Sequence, residues 1–158
     1  MNLQTVLAIC FSSKRETFHH WKVFSSGPSG ACIEFDKELL LRSFAYLKGF
    51  RSKEVTYRLV KDVEKKKPQM DTWPFLKRKP FEDEGEFRII YESRTDTARI
   101  KHVSIDLHCI RRITLSPWMP DSIATSVIGV LRTIPHCRNM DVYRSSLLEN
   151  SRWRKAID

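Results

Sequence analysis

The hydrophobic pattern changes its period several times along the chain, and each change marks an element. "TVLAICF" (5–11) is continuous in apolar and β-branched residues and reads as a buried strand. In "RETFHHWKVF" (15–24) the spacing is that of a short helical turn, with Phe18, Trp21 and Val23 toward a core and His19 and Lys22 outside. "SSGPSG" (25–30) is a loop by composition. "ACIEF" (31–35) alternates, with Ala31, Ile33 and Phe35 on one face and Cys32 and Glu34 on the other. Asp36 is placed to cap a helix from Lys37 to about Leu47 with Leu40, Phe44 and Leu47 as its stripe, and Gly49 ends it.

Further on, "KEVTYRLV" (53–60) is a strand, and the lysine-rich stretch after it, broken by Pro68, Pro74 and Pro80, is a connection with at most a short helix. "EFRIIYES" (86–93) alternates Phe87, Ile89 and Tyr91 against Glu86, Arg88 and Ile90. "RIKHVSIDL" (99–107) repeats the alternation with Val103, Ile105 and Leu107, and the turn-forming "SRTDTA" between the two predicts a hairpin. "RRITLS" (111–116) is a short strand. The clearest helix is "PDSIATSVIGVLRTI" (120–134), opened by Pro120 and Asp121, closed by Pro135, and striped by Ile123, Val127, Val130, Leu131 and Ile134. A strand in "MDVYRSSLL" (140–148) and a terminal turn in "SRWRKAI" (151–157) complete the chain. Strands outnumber helices, so the expected class is α+β: a mixed, mostly antiparallel sheet with helices largely on one face, in a single domain over residues 1–158.

Composition narrows the class without naming a function. A chain of 158 residues with 41% hydrophobic and 30% charged residues is that of a folded globular protein. No apolar run approaches the ~18 residues of a membrane span, and the start lacks the basic residues of a signal peptide; a cytoplasmic location is expected. Four cysteines at 10, 32, 109 and 137 form no C-x-x-C pair, and read as small buried apolar groups. His108–Cys109 and His136–Cys137 are adjacent pairs, whose side chains diverge on a strand, so no metal site is expected.

The net charge of +9 favours anionic partners: nucleotides, nucleic acids or acidic proteins. Basic residues concentrate in 61–79, where Trp73 and Phe75 lie between lysine clusters, and again from Arg132 to Lys155. Lysines interleaved with rings suit nucleic acid, with Lys65, Lys66, Lys67, Lys77 and Arg78 meeting phosphates and rings stacking on bases. The competing reading is a solvated loop anchored by Trp73 and Phe75.

Several motifs occur in a suggestive order: "CFSSKRETFHHW", "GACIEFD", "FEDEGEFRII", "ITLSP" before a helix, and "DVYRSSLL". Together they resemble the bacterial domain of unknown function 2971 family, over nearly the whole chain. The matching positions are Phe11, Ser12, Trp21, Gly30, Cys32, Phe35, Asp36, Phe81, Glu84, Glu86 and Arg88. The family's N-D-P-F-E-like N-terminal motif has no counterpart here, and Ser116 stands where the family prefers glycine before Pro117. The resemblance implies a mobile-element or phage-defence context, such as a gene cassette, and no particular reaction.

Among the matching positions, Phe11, Phe35, Phe81 and Trp21 read as core. Glu84, Glu86 and Arg88 share one face of a straight strand, either as a structural ion network or as a site. In a site, arginine would clamp a phosphate or carboxylate, and a glutamate would hold a hydroxyl or act as general base. Ser12, Trp21 and Lys79 would add ligand contacts. His20 could reach Ser12 as part of a nucleophile pair, although no nucleophile elbow, phosphate loop or dinucleotide fingerprint is present, and no cofactor is implied. Three function classes stay open. One is an enzyme on nucleotides or nucleic acids with Glu86, Arg88 and His20 as catalytic groups, distantly similar to ADP-ribosyltransferase-like toxins. The others are a non-catalytic binding module and a homo-oligomeric scaffold that covers a sheet edge with a second copy.

Overall fold

The computed structural model describes residues 3–25, 27–135 and 137–157. The chain gathers into two compact units, residues 1–15 with 44–104 and residues 16–43 with 105–158. Helices accompany sheet in both, and among the described residues three strand pairings are antiparallel and two parallel, so the α+β class holds. Elements are numbered in chain order.

The first unit is built on a three-stranded sheet in the order β1 (Thr5–Ser12), β6 (Glu86–Ser93), β3 (Phe50–Glu54), with both neighbour pairs antiparallel. The alternation in 86–93 is obeyed. Phe87, Ile89 and Tyr91 are buried, and so are Glu86 and Ile90 on the opposite side. A central strand with both faces covered explains why the polar members of that pattern are also withdrawn from water. "TVLAICF" corrects the sequence reading: it is the edge strand β1, and Val6 and Ile9 are 51% and 52% exposed. A continuous apolar run specifies extended backbone but cannot distinguish a central strand from an edge.

The hairpin expected from 86–107 does not form. Turn chemistry is present, since Ser93 Oγ accepts from the amides of Thr95 and Asp96, and Asp96 accepts from Ala98 N and Tyr91 OH. Residues 99–106, however, belong to no strand. The reason is occupancy: β1 and β3 already take the two edges of β6, leaving no ladder for a third partner. "KEVTYRLV" divides at buried Val55 into the end of β3 and β4 (Thr56–Arg58). β4 pairs in parallel with β5 (Leu76–Arg78), and the connection holds only α3 (Val60–Lys65) and a 3-10 turn over Met70–Phe75.

The second unit contains α1 (Phe18–Phe24), α2 (Lys37–Arg42) and a sheet in the order β2 (Ala31–Phe35), β7 (Ile110–Leu115), β8 (Asp141–Arg144). β2 runs antiparallel and β8 parallel to β7. α4 (Asp121–Thr133) crosses over between β7 and β8, and α5 (Ser151–Ile157) ends the chain. Asp36 caps α2 as expected, accepting from Leu39 N at 3.0 Å. The helix stops at Arg42 rather than Leu47, because Phe44 belongs to the first unit, where its ring lies 5.3 Å from Phe50. Gly49 takes φ +84°, and a Cβ there would come within 2.7 Å of the Glu92 carbonyl oxygen.

The core of this unit is Leu115, Met119, Ala124 and Val142, with Val127, Ile128 and Leu131 packed against it. α4 buries Ala124 and packs Val127, Ile128 and Leu131 against this core, so the expected stripe holds at Val127 and Leu131 and fails at its other positions. Ile123, Val130 and Ile134 stay exposed. Both stripes have helical spacing in a helix apolar on two sides, and only the sheet beneath it selects between them. On α1, Trp21 is buried while Phe18 and Val23 are exposed. The cysteines also divide, Cys109 and Cys137 being buried and Cys10 and Cys32 exposed on the edge strands β1 and β2. His136, of the second His–Cys doublet, lies outside the described residues.

Candidate functional site

The matched carboxylates and arginine meet in the first unit, though not along one straight strand. β6 sets Glu86 and Arg88 on the same face. Glu84 precedes the strand, at the end of a 3-10 turn over Lys79–Glu84, and Gly85 at φ +51° turns the chain from one to the other. Lys77 of β5 closes the group, pairing with Glu84 and lying 3.2 Å from Glu86 Oε2. Arg88 grips Glu86 bidentately, Nε to Oε1 at 2.7 Å and NH2 to Oε2 at 2.9 Å, and its NH1 donates to the Pro74 carbonyl at 2.6 Å. Tyr57 OH accepts from Glu86 N at 2.8 Å. Ser12 Oγ donates to the Glu84 carbonyl at 2.7 Å and accepts from Lys14 N at 3.2 Å.

Two carboxylates thus face two cations, and the charges balance. Burial favours the neutral acid at Glu86, but hydrogen bonds from Arg88, Cys10 and Lys77 outweigh it and bring the pKa from 4.5 down to about 2. Arg88 is shifted upward by its bond to Glu86. At Lys77 burial opposes the charge, yet Glu84 and Glu86 raise the pKa. A carboxylate this acidic, with both oxygens taken by cations, has almost no proton affinity near neutrality. The cluster braces β5 and the 3-10 turns against β6.

The basic segment presents a different surface. Lys65, Lys66 and Lys67 are exposed and have no ion-pair partner among the described residues. Lys79 pairs with Glu82 at 2.7 Å, and the Arg78 guanidinium lies 5.3 Å from the Phe81 ring centroid. Phe81, expected in the core, is exposed and carries Lys77 over its ring as well, at 5.1 Å. Phe75 is buried and anchors the segment, whereas Trp73 is 55% exposed. A groove of about 240 Å³ is lined by Lys53, Thr56, Arg58, Pro68, Gln69, Thr72, Phe75 and Leu76. Neither the Lys53 nor the Arg58 side chain has an ion-pair or hydrogen-bond partner among the described residues, and the lining includes no carboxylate.

His20 and Trp21 belong to the second unit. Trp21 Nε1 donates to Glu16 Oε2 at 2.7 Å, and the same oxygen accepts from Ser145 Oγ at 2.9 Å. His20 Nε2 is buried with no hydrogen-bond partner among the described residues, and its ring lies 6.1 Å from Phe24. The Ser12 hydroxyl spends its hydrogen on the Glu84 carbonyl, so it is not held by a histidine. Ser116 is wholly buried, its amide donating to the Gly30 carbonyl at 3.0 Å and its Oγ accepting from Trp118 N at 3.2 Å. Among the described residues, no cluster of three or more His, Cys, Asp or Glu is placed to hold a metal ion, and no helix is long and apolar enough to cross a membrane.

Lys53, Arg58 and Tyr57 were not singled out by sequence. For Tyr57 and Arg58 the signal is the alternation in "VTYR", which sends Tyr57 to one face of β4 and Thr56 and Arg58 to the other; Lys53, in β3, has no such signal. No family model, no curated protein and no solved structure matches the chain.

Proposed function

We propose that the first unit is a binding module for an anionic ligand, a nucleotide or nucleic acid, held on the basic face that carries the groove. One observation carries this reading: Lys53 and Arg58, two cations without partners, line a partly apolar groove free of carboxylates, with Lys65, Lys66 and Lys67 unpaired in the same unit. A cation left unpaired beside apolar wall is poised for a phosphate, whereas the Glu84–Glu86–Arg88–Lys77 cluster has its charges spent. The same balance weighs against an ADP-ribosyltransferase-like or general-base role for Glu86. The motif resemblance to the family named above agrees with a mobile-element or defence context but adds no chemistry.

The test is the salt dependence of binding. Each phosphate contact adds roughly −0.7 to −0.9 to the slope of log K against log salt. Exchanging Lys65, Lys66 and Lys67 together for glutamine should flatten that slope and weaken binding to all sequences alike, and Arg58→Gln should weaken it further. Binding indifferent to salt and to all four residues would refute the reading.

A second reading, self-association through β1, is favoured by the state of that edge. Thr5–Ser12 carries no charged residue, no proline and no bulge, and its Val6 and Ile9 face water. The opposite edge, β3, carries Arg51, Lys53 and Glu54, the usual protection against pairing. A second copy fits because β1 laid antiparallel on itself about a two-fold axis satisfies both unpaired ladders equally. Sedimentation at micromolar concentration should give a mass above the 18.6 kDa of one chain, reduced to it by Val6→Lys. A wild-type mass of one chain would remove this reading.

A further inference from the structure

We infer that the ligand of the first unit is a single-stranded nucleic acid, with the Trp73 indole as a base-stacking platform and Arg58 and Lys53 holding the neighbouring phosphate. This rests on the anion-binding reading above and narrows its ligand.

Trp73 is the starting point. A large ring more than half in water is unusual, and here it is also fixed. Its Nε1 donates to the Pro68 carbonyl at 3.2 Å, and its own carbonyl accepts from Leu76 N at the end of the 3-10 turn. The turn is held at its C-terminal end, where Phe75 is buried and the Pro74 carbonyl accepts from Arg88. The ring is therefore ordered before any ligand arrives, which lowers the entropy cost of stacking on it. It touches the groove's lining, because Pro68, which accepts its indole N–H, is a lining residue, as are Thr72, next to it in sequence, and Phe75, two residues on.

The groove's size argues for a polymer. At about 240 Å³ it is smaller than the ~300–1,000 Å³ of sites that bury a whole small molecule. A mononucleotide would be held only in part, while a strand can place one base on Trp73, a phosphate at Arg58 and Lys53, and further phosphates near Lys65, Lys66 and Lys67. Strandedness follows from the ring and from the secondary structure. In a duplex the base faces are hidden in the stack, so an exposed platform has nothing to bind. Reading a major groove calls for a helix or a two-stranded ribbon of some length. Among the described residues, the α-helix of this unit is the six-residue α3.

The experiment compares a labelled single-stranded oligonucleotide of about 20 nucleotides, the matching duplex and a free mononucleotide by anisotropy at two salt concentrations. The wild type should prefer the single strand to both. Stacking of one base corresponds to roughly a five- to hundredfold effect. Trp73→Ala should therefore lose that much affinity for the single strand with the salt slope unchanged, Trp73→Phe should retain most of it, and Trp153→Ala, removing an exposed tryptophan of the second unit, should change nothing. Thermal melts of the variants check that each is folded. Salt-dependent binding equal for single strand and duplex, with Trp73→Ala neutral, would overturn the stacking inference and leave the anion reading standing. Absence of salt-dependent binding to every probe would overturn both.

Discussion

Glu86→Gln is the perturbation that bears most directly on the ion cluster. Glu86 is 6% exposed and accepts two hydrogen bonds from Arg88 and one from Lys77. Glutamine keeps the shape and one acceptor oxygen but sets an NH2 group against a cation. The fall in pKa from 4.5 to about 2 corresponds, at about 1.4 kcal/mol per tenfold change, to an upper limit of roughly 3–4 kcal/mol. Removing one partner of a fully buried pair costs ~3–5 kcal/mol, but Arg88 and Lys77 keep 18% and 25% of their side chains in solvent. Solvent screening at that outer edge lowers the figure to roughly 2 kcal/mol. In a chain of this size that is a Tm lower by about 4–8 °C at neutral pH.

The pH dependence has a definite sign. A carboxylate whose folded pKa lies below its unfolded one contributes its full stability above 4.5, and that contribution is lost as pH falls toward about 2. Urea titrations of wild type and Glu86→Gln at pH 7, 4.5 and near 2 isolate the effect, because all other carboxylates are common to both proteins. The gap should be about 2 kcal/mol at neutrality and close as the wild type is acidified. Equal stability at pH 7, or a gap that stays constant down to pH 2, would refute the account of the cluster as a charge-balanced brace.

Two further outcomes follow from burial. In the native protein Cys10 and Cys32 should react with a thiol reagent, and Cys109 and Cys137 only after unfolding; because burial and neighbouring carboxylates push the Cys10 and Cys32 thiols up from 9.0, labelling should keep accelerating as pH rises past that value. On α4 and beneath it, Val130→Lys should change stability by less than ~0.5 kcal/mol, and Leu115→Ala should cost ~2–5 kcal/mol by chemical denaturation, since Val130 is 64% exposed and Leu115 lies in the core.

What the sequence determined by itself was local and periodic. Alternation in "EFRIIYES" specified a strand and put Glu86 and Arg88 on one face, whatever the strand's neighbours. Asp36 announced the start of α2, and Pro120 and Pro135 bounded α4, because capping and proline geometry act within a few residues. Tertiary structure decided everything that depends on which segment becomes the neighbour of which. β1 and β3 claimed both edges of β6, so an equally alternating segment at 99–107 stayed unpaired. The sheet under α4 chose one of two helical stripes. Lys77, indistinguishable in sequence from Lys65, Lys66 and Lys67, turned inward because β5 carries it to two carboxylates, while Arg58 was left free on the other face of the adjoining strand. A side chain's period is written in its own segment. Its partner depends on contacts between segments far apart in the chain, and a one-dimensional pattern carries no term for them.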